Sequence, residues 1–139
     1  MSTDPASLQL AADLRAAVGD LVRLVRADTA LPQNQIGALG WLVREGPHTT
    51  AELADRQRVR HQSMARTVTL LLQAGLVRQQ PHPSDGRKLV LSATEAGVET
   101  LHDQRRRREQ RLAEAIEREL TEPERHVLRQ AVELLRRIG

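Results

Sequence analysis

A chain of 139 residues is long enough for one modest core, so a single domain or one subunit of an oligomer is expected. It has no cysteine, which excludes disulfides, thiolate metal sites and thiol-based redox sensing, and its only aromatic residue is Trp41, so Leu, Val, Ile and Ala must fill the core. The net charge of +3 is unevenly held: residues 48–91 carry six Arg and one Lys against three acids, whereas 1–47 carry four Arg against five acids and 92–139 carry ten Arg against ten.

In chain order, residues 1–7 are small and polar and are expected to fray. From Leu8 to about Asp28, Leu14, Val18, Leu21 and Val25 recur at helical spacing, with Leu10, Val22 and Leu24 widening the stripe. Pro32 then opens a helix to about Arg44, with Ile36, Leu39, Leu42 and Val43 inward; proline suits a first turn because its missing N–H would have no helical partner. Trp41 reads as a core or interhelical residue rather than a ligand platform. Gly46-Pro47 ends that helix.

The next segment organises the rest. Thr49 and Glu52 have the spacing of a capping box, which starts a short helix carrying Leu53 and Ala54. A second helix is expected from Arg60 or His61 to Ala74, its buried face made by Met64, Val68, Leu71 and Leu72. Gln62, Ser63, Arg66 and Thr67 are read as projecting from the opposite face, and such side chains read base edges in a major groove. Gly75 is placed to end the helix. Leu76-Val77 and Lys88–Leu91 then read as two strands joined by Pro81-His82-Pro83-Ser84-Asp85-Gly86-Arg87, a turn with a basic tip. Helix, turn, helix and basic hairpin make a winged helix-turn-helix. The charge surplus lies in this segment, and a basic patch draws polyanions by counterion release.

After the wing, Thr94 caps a long helix from Glu95 past Gln110. Its Arg105-Arg106-Arg107-Arg108 run points all round a helix, so it reads as a solvated face balanced by Glu95, Glu99, Glu109 and Glu114 rather than a second DNA contact. Thr121-Glu122-Pro123-Glu124 starts a last helix, with Val127, Ala131, Leu134 and Ile138 on one side. The fold class is therefore mainly α with a small β-hairpin wing, and both chain ends are amphipathic helices. They are expected to form a helical dimerisation region, 1–31 with 95–139, around a winged DNA-binding domain at 32–94.

Glu52-Leu53-Ala54, Arg66, Gly75-Leu76-Val77, Asp85-Gly86-Arg87 and Leu91-Ser92-x-Thr94-x-x-Gly97 stand in an order and spacing that resembles the MarR (multiple antibiotic resistance regulator) family of transcription factors. The resemblance implies a homodimeric regulator of double-stranded DNA, repressing from a pseudo-palindromic operator with half-sites roughly 10 base pairs apart. It also implies release by a small aromatic or amphipathic acid bound among the first, second and fifth helices, at residues the sequence does not identify. Three positions depart from the family pattern: Ala65 where a Thr precedes the arginine, Leu72 where an acid is usual, and Arg58 where a turn glycine is usual.

On this reading Gln62, Ser63, Arg66 and Thr67 enter the major groove, Arg66 taking guanine and Gln62 adenine. Arg87 enters the minor groove, steadied by Asp85, while Thr49, Arg60, His61, Arg78 and Lys88 touch phosphates. No catalytic constellation is present and no cofactor is implied. His48, His61, His82, His102 and His126 lack metal-ligand spacing, so no metal is expected. The chain has no membrane-length apolar run and no signal pattern, and a cytoplasmic, nucleoid-associated protein is expected. The competing reading is a winged-helix adaptor that binds protein without specific DNA recognition.

Overall fold

The computed structural model describes residues 2–26 and 31–139. Six helices and one hairpin follow in the order α1 (Pro5–Arg26), α2 (Gln33–Glu45), α3 (Thr50–Gln57), α4 (His61–Gln73), β1 (Val77–Pro81), β2 (Leu89–Ala93), α5 (Glu95–Glu119) and α6 (Glu122–Ile138). The chain divides into two compact units, one within residues 29–106 and the other within 1–28 and 107–139. The mainly helical class with a two-stranded wing is the one the sequence implies.

The winged unit has a core of aliphatic side chains contributed by every one of its elements. Leu39 of α2, Leu53 of α3, Leu71 of α4 and Leu91 of β2 are almost fully enclosed. Each gains about 1.5–3 kcal/mol by leaving water. Leu101 of α5 joins the same cluster, and Leu72 and Trp41 pack against it half-buried. Leu72 thus extends the core where the family pattern has an acid.

The turns that shape this unit are fixed by local hydrogen bonds. At the start of α3 the Thr49 hydroxyl accepts from the Glu52 N–H at 3.1 Å, and the Glu52 carboxylate accepts from the Thr49 N–H at 3.1 Å. That capping box is worth about 1 kcal/mol. At the end of α4, the Leu76 N–H donates to the Leu71 carbonyl and the Gly75 N–H to the Leu72 carbonyl, with Gly75 at φ +73°. This is a Schellman motif, and its left-handed position favours glycine.

Arg58, between α3 and α4, adopts φ 54° and ψ 45°, the one non-glycine residue with positive φ among those described. A β-carbon in that conformation costs about 1 kcal/mol. Arg58→Gly is therefore expected to raise stability by about 0.5–1 kcal/mol, since relief of that strain exceeds the added freedom of the unfolded chain. Urea titration at fixed protein concentration checks it, and a destabilised variant would show that the arginine side chain contributes more than its backbone costs.

Three sequence expectations shift. Residues before Leu8 are not frayed throughout: Asp4 accepts from the N–H groups of Ala6 and Ser7 and from the Ser7 hydroxyl at 2.6–3.2 Å, so α1 already begins at Pro5. The expected end of α1 beyond Arg26 lies outside the described residues. Pro32 caps α2 rather than opening it, its carbonyl accepting from Gln35 and Ile36. Pro81 belongs to β1, paired with Leu89, not to the turn. It is tolerated because β1 is an outer strand: β2 is flanked on its other side by a bridge between His48 and Leu91.

In the other unit, Thr121 and Glu124 form a second capping box at the start of α6, ahead of a first turn containing Pro123. Neither α1 nor α6 has a buried residue. Leu10, Val127 and Ile138 are 68%, 62% and 76% exposed, so the apolar stripes read from the sequence are present but uncovered in the single chain. Burying such faces is the main favourable term open to this unit.

Candidate nucleic-acid interface

The exposed side of α4 follows from its periodicity. Met64, Thr67, Val68 and Leu71 face the core at spacings of three and four, which leaves His61, Gln62, Ser63 and Arg66 exposed. Arg60 precedes the helix and caps it with no side-chain bond. The first-turn amides and the positive end of the helix dipole therefore accompany this polar row.

Thr67 does not belong to that row. It is 3% exposed, its hydroxyl donating to the Ser63 carbonyl at 3.1 Å and accepting from Asn34 Nδ2 at 3.1 Å. A residue three after Met64 and four before Leu71 lies on the inner stripe, and that spacing outweighs its polar character. Thr67 instead ties α4 to the first turn of α2, where Asn34 Oδ1 also accepts from the Gln35 N–H. The sequence reading missed Asn34, and nothing local marks it because its partner is 33 residues away.

The wing tip presents Arg87 with its side chain 91% exposed. One oxygen of Asp85 accepts from both the backbone N–H and the Nε–H of Arg87, each at 3.2 Å. Those bonds, the side-chain one first, hold the Asp85 carboxyl below the usual carboxylate range. An ion pair so open to water contributes little stability. Its effect is to orient the guanidinium.

Between the wing and the starts of α3 and α4 lies an open cleft of about 450 Å³, lined among others by Thr49, Glu52, His61, His82, Lys88 and Leu89. It brings together three of the five residues expected to touch phosphate, Thr49, His61 and Lys88. Arg60 stands exposed just before α4, and Arg78 stands exposed on β1 opposite Ser92. Glu52 is the acid of the lining. Its carboxylate is held below the usual range by the Thr49 N–H, then by the Thr49 hydroxyl.

Behind this face, Trp41 serves as the interhelical residue the sequence suggests. Its Nε1–H donates to His48 Nε2 at 3.3 Å, and the guanidiniums of Arg44 and Arg56 lie 5.3 and 5.9 Å from its ring centroid. Because the indole N–H can only donate, His48 Nε2 accepts, and His48 Nδ1–H donates to the Gly46 carbonyl at 2.8 Å. That arrangement fixes the segment leading into the α3 cap. Among the described residues no group of three or more His, Asp or Glu is placed to hold a metal, and no helix is long and apolar enough to cross a membrane.

A helix-turn-helix whose second helix exposes a polar row, followed by a two-stranded wing with a basic tip, defines a winged helix-turn-helix DNA-binding protein. A sequence model of the MarR family matches residues 31–88. An HTH-type transcriptional regulator of Mycobacterium tuberculosis is 39% identical over 130 residues, which covers 91% of this chain and 90% of that one. One of Mycobacterium leprae is 37% identical over the same shares. A solved transcriptional regulator protein from Pseudomonas aeruginosa is 31% identical and matches 98% of this chain and 97% of its own with a TM-score of 0.84. A MarR family protein from Bacillus stearothermophilus, 20% identical, shares the fold over 99% of this chain and 97% of its own with a TM-score of 0.73. The chain belongs to the MarR family of winged helix-turn-helix transcriptional regulators.

Proposed function

We propose that this regulator is a homodimeric repressor that reads a pseudo-palindromic operator. The observation that carries the reading is the exposed row Gln62, Ser63 and Arg66 beside a wing tip oriented by Asp85, in the segment that holds the charge surplus. Gln62, Ser63 and Arg66 read bases in the major groove, and Arg87 enters the adjacent minor groove. Thr49, Arg60, His61, Arg78 and Lys88 set the register on phosphates.

The uncovered stripes of α1 and α6 support the dimer, because a second copy offers the same apolar faces in return. The helical dimerisation region is then 1–31 with 95–139, around a winged domain at 32–94. Two copies related by a two-fold axis place their recognition helices about one DNA turn apart. Occupation of an operator blocks transcription, and a small aromatic or amphipathic acid releases it. The protein works where the chromosome is, in the cytoplasm, and carries out no chemistry.

DNA titration at two salt concentrations tests this. Wild-type binding is expected to be steeply salt-dependent, and Arg87→Ala to weaken it while lowering the salt slope by about 2, one for each copy in the dimer. Weak binding, equal on specific and random duplexes and unchanged by Arg87→Ala, would overturn the reading in favour of a protein-binding adaptor.

A further inference from the structure

The wing tip is held by a side chain that the DNA-contact reading does not use. His82 follows Pro81 at the end of β1 and precedes Pro83, and it is half-buried. Its ring Nδ1 lies 3.0 Å from the Ser84 N–H and 3.2 Å from the Asp85 N–H. Backbone N–H groups only donate, so Nδ1 must present its lone pair to both. The neutral ring then carries its proton on Nε2.

This arrangement does the work of an Asx turn, in which a side-chain acceptor takes the N–H two residues on. Here a histidine stands where Asp or Asn is the usual choice. The bond has consequences along the tip. The Asp85 N–H is taken by the ring, its carbonyl accepts from the Lys88 N–H at 3.0 Å, and its carboxylate accepts from Arg87. The His82 N–H closes the loop onto the Lys88 carbonyl at 2.9 Å. Asp85 is therefore fixed at three points, and one of them is the imidazole.

We infer that His82 is the positioning residue of the wing: its Nδ1 lone pair holds the backbone of Asp85, and through the Asp85 carboxylate it aims Arg87. The inference rests on the proposed minor-groove role of Arg87 for its effect on DNA, and on the tip geometry alone for its effect on the protein. It assigns the unprotonated Nδ1, not the bulk of the ring, as the property that matters.

Two substitutions separate those properties. His82→Phe keeps an aromatic ring and removes the acceptor, whereas His82→Asn removes the ring and keeps an acceptor near the Nδ1 position. Each is measured alone and combined with Arg87→Ala, on a duplex selected by the wild-type protein from random-sequence DNA. H82F is expected to weaken binding about three- to tenfold and H82N less than about twofold, the range a single hydrogen bond spans. In the Arg87→Ala background H82F is expected to add less than about twofold. The reverse order, with H82F tolerated and H82N weak, assigns a space-filling role and overturns the inference. So does equal loss in both variants, no loss in H82F, or the same H82F loss with and without Arg87.

If Arg87→Ala itself leaves binding unchanged, the minor-groove reading of the wing falls separately. Amide hydrogen exchange then decides the role of His82 within the protein. Faster exchange at Ser84 and Asp85 in H82F, restored in H82N, supports it, and unchanged rates overturn it.

Discussion

Gly97→Ala is expected to destabilise the winged unit by about 3 kcal/mol or more, at the upper end of what overpacking costs. Gly97 sits in the first turn of α5, buried against the Leu76 backbone. A β-carbon there would overlap the Leu76 carbonyl oxygen and stand 3.1 Å from Leu39 Cδ1. Neither neighbour can retreat cheaply. The Leu76 carbonyl accepts from the Thr94 N–H at 3.0 Å, while the Leu76 N–H closes the end of α4. Thr94 is itself tied on both sides: its hydroxyl donates to the Gly75 carbonyl at 2.7 Å and accepts from the Gly97 N–H at 3.1 Å. The clash therefore sets a β-carbon, fixed to the α5 backbone, against the Leu76 backbone, at the point where α4, the wing and α5 meet. With a domain stability of about 5–15 kcal/mol, such a loss is a large fraction of the whole. Urea unfolding at fixed protein concentration measures it, and a loss below about 1 kcal/mol would mean that α5 can slide away from β1 without cost.

The second large effect is on DNA. Arg66→Ala removes the exposed guanidinium from the C-terminal end of the polar row of α4 without touching the inner stripe. A good bidentate contact to guanine contributes about 1–3 kcal/mol of discrimination. In the proposed two-fold complex that contact is made twice, so operator affinity is expected to fall about a hundredfold or more. Discrimination at one base pair in each half-site should relax at the same time. Binding measured against single-base-pair variants of the selected operator separates the roles. A uniform loss across all variants would make Arg66 a phosphate contact instead.

Much of the fold is legible because its turns are local chemistry. Thr49 with Glu52, Thr121 with Glu124, and Gly75 at the end of α4 each settle their bonds within a few residues, and the spacing alone points to them. Arg58 could be marked as the residue at a glycine position, and the backbone there has the positive φ that marking implies. Thr67 is not legible from residue type, because a polar side chain can sit on an inner stripe when a partner such as Asn34 is available. That partner, like the Trp41–His48 pair, is set by tertiary packing and leaves no local signature.

His82 was legible as a turn neighbour and not as an acceptor, because a ring flanked by prolines acquires its role only when the tip folds over it. The stripes of α1 and α6 were legible as apolar. What covers them is not, since periodicity gives the face of a helix and never its partner.

Operator recognition by a dimer is tested by a hydroxyl-radical footprint of the purified protein on DNA beside its own gene, with the number of bound chains determined on the same complex. Two chains per duplex and two protected patches roughly 10 base pairs apart, centred on a pseudo-palindrome, are expected. One chain per site, or protection without two-fold symmetry, would contradict that expectation.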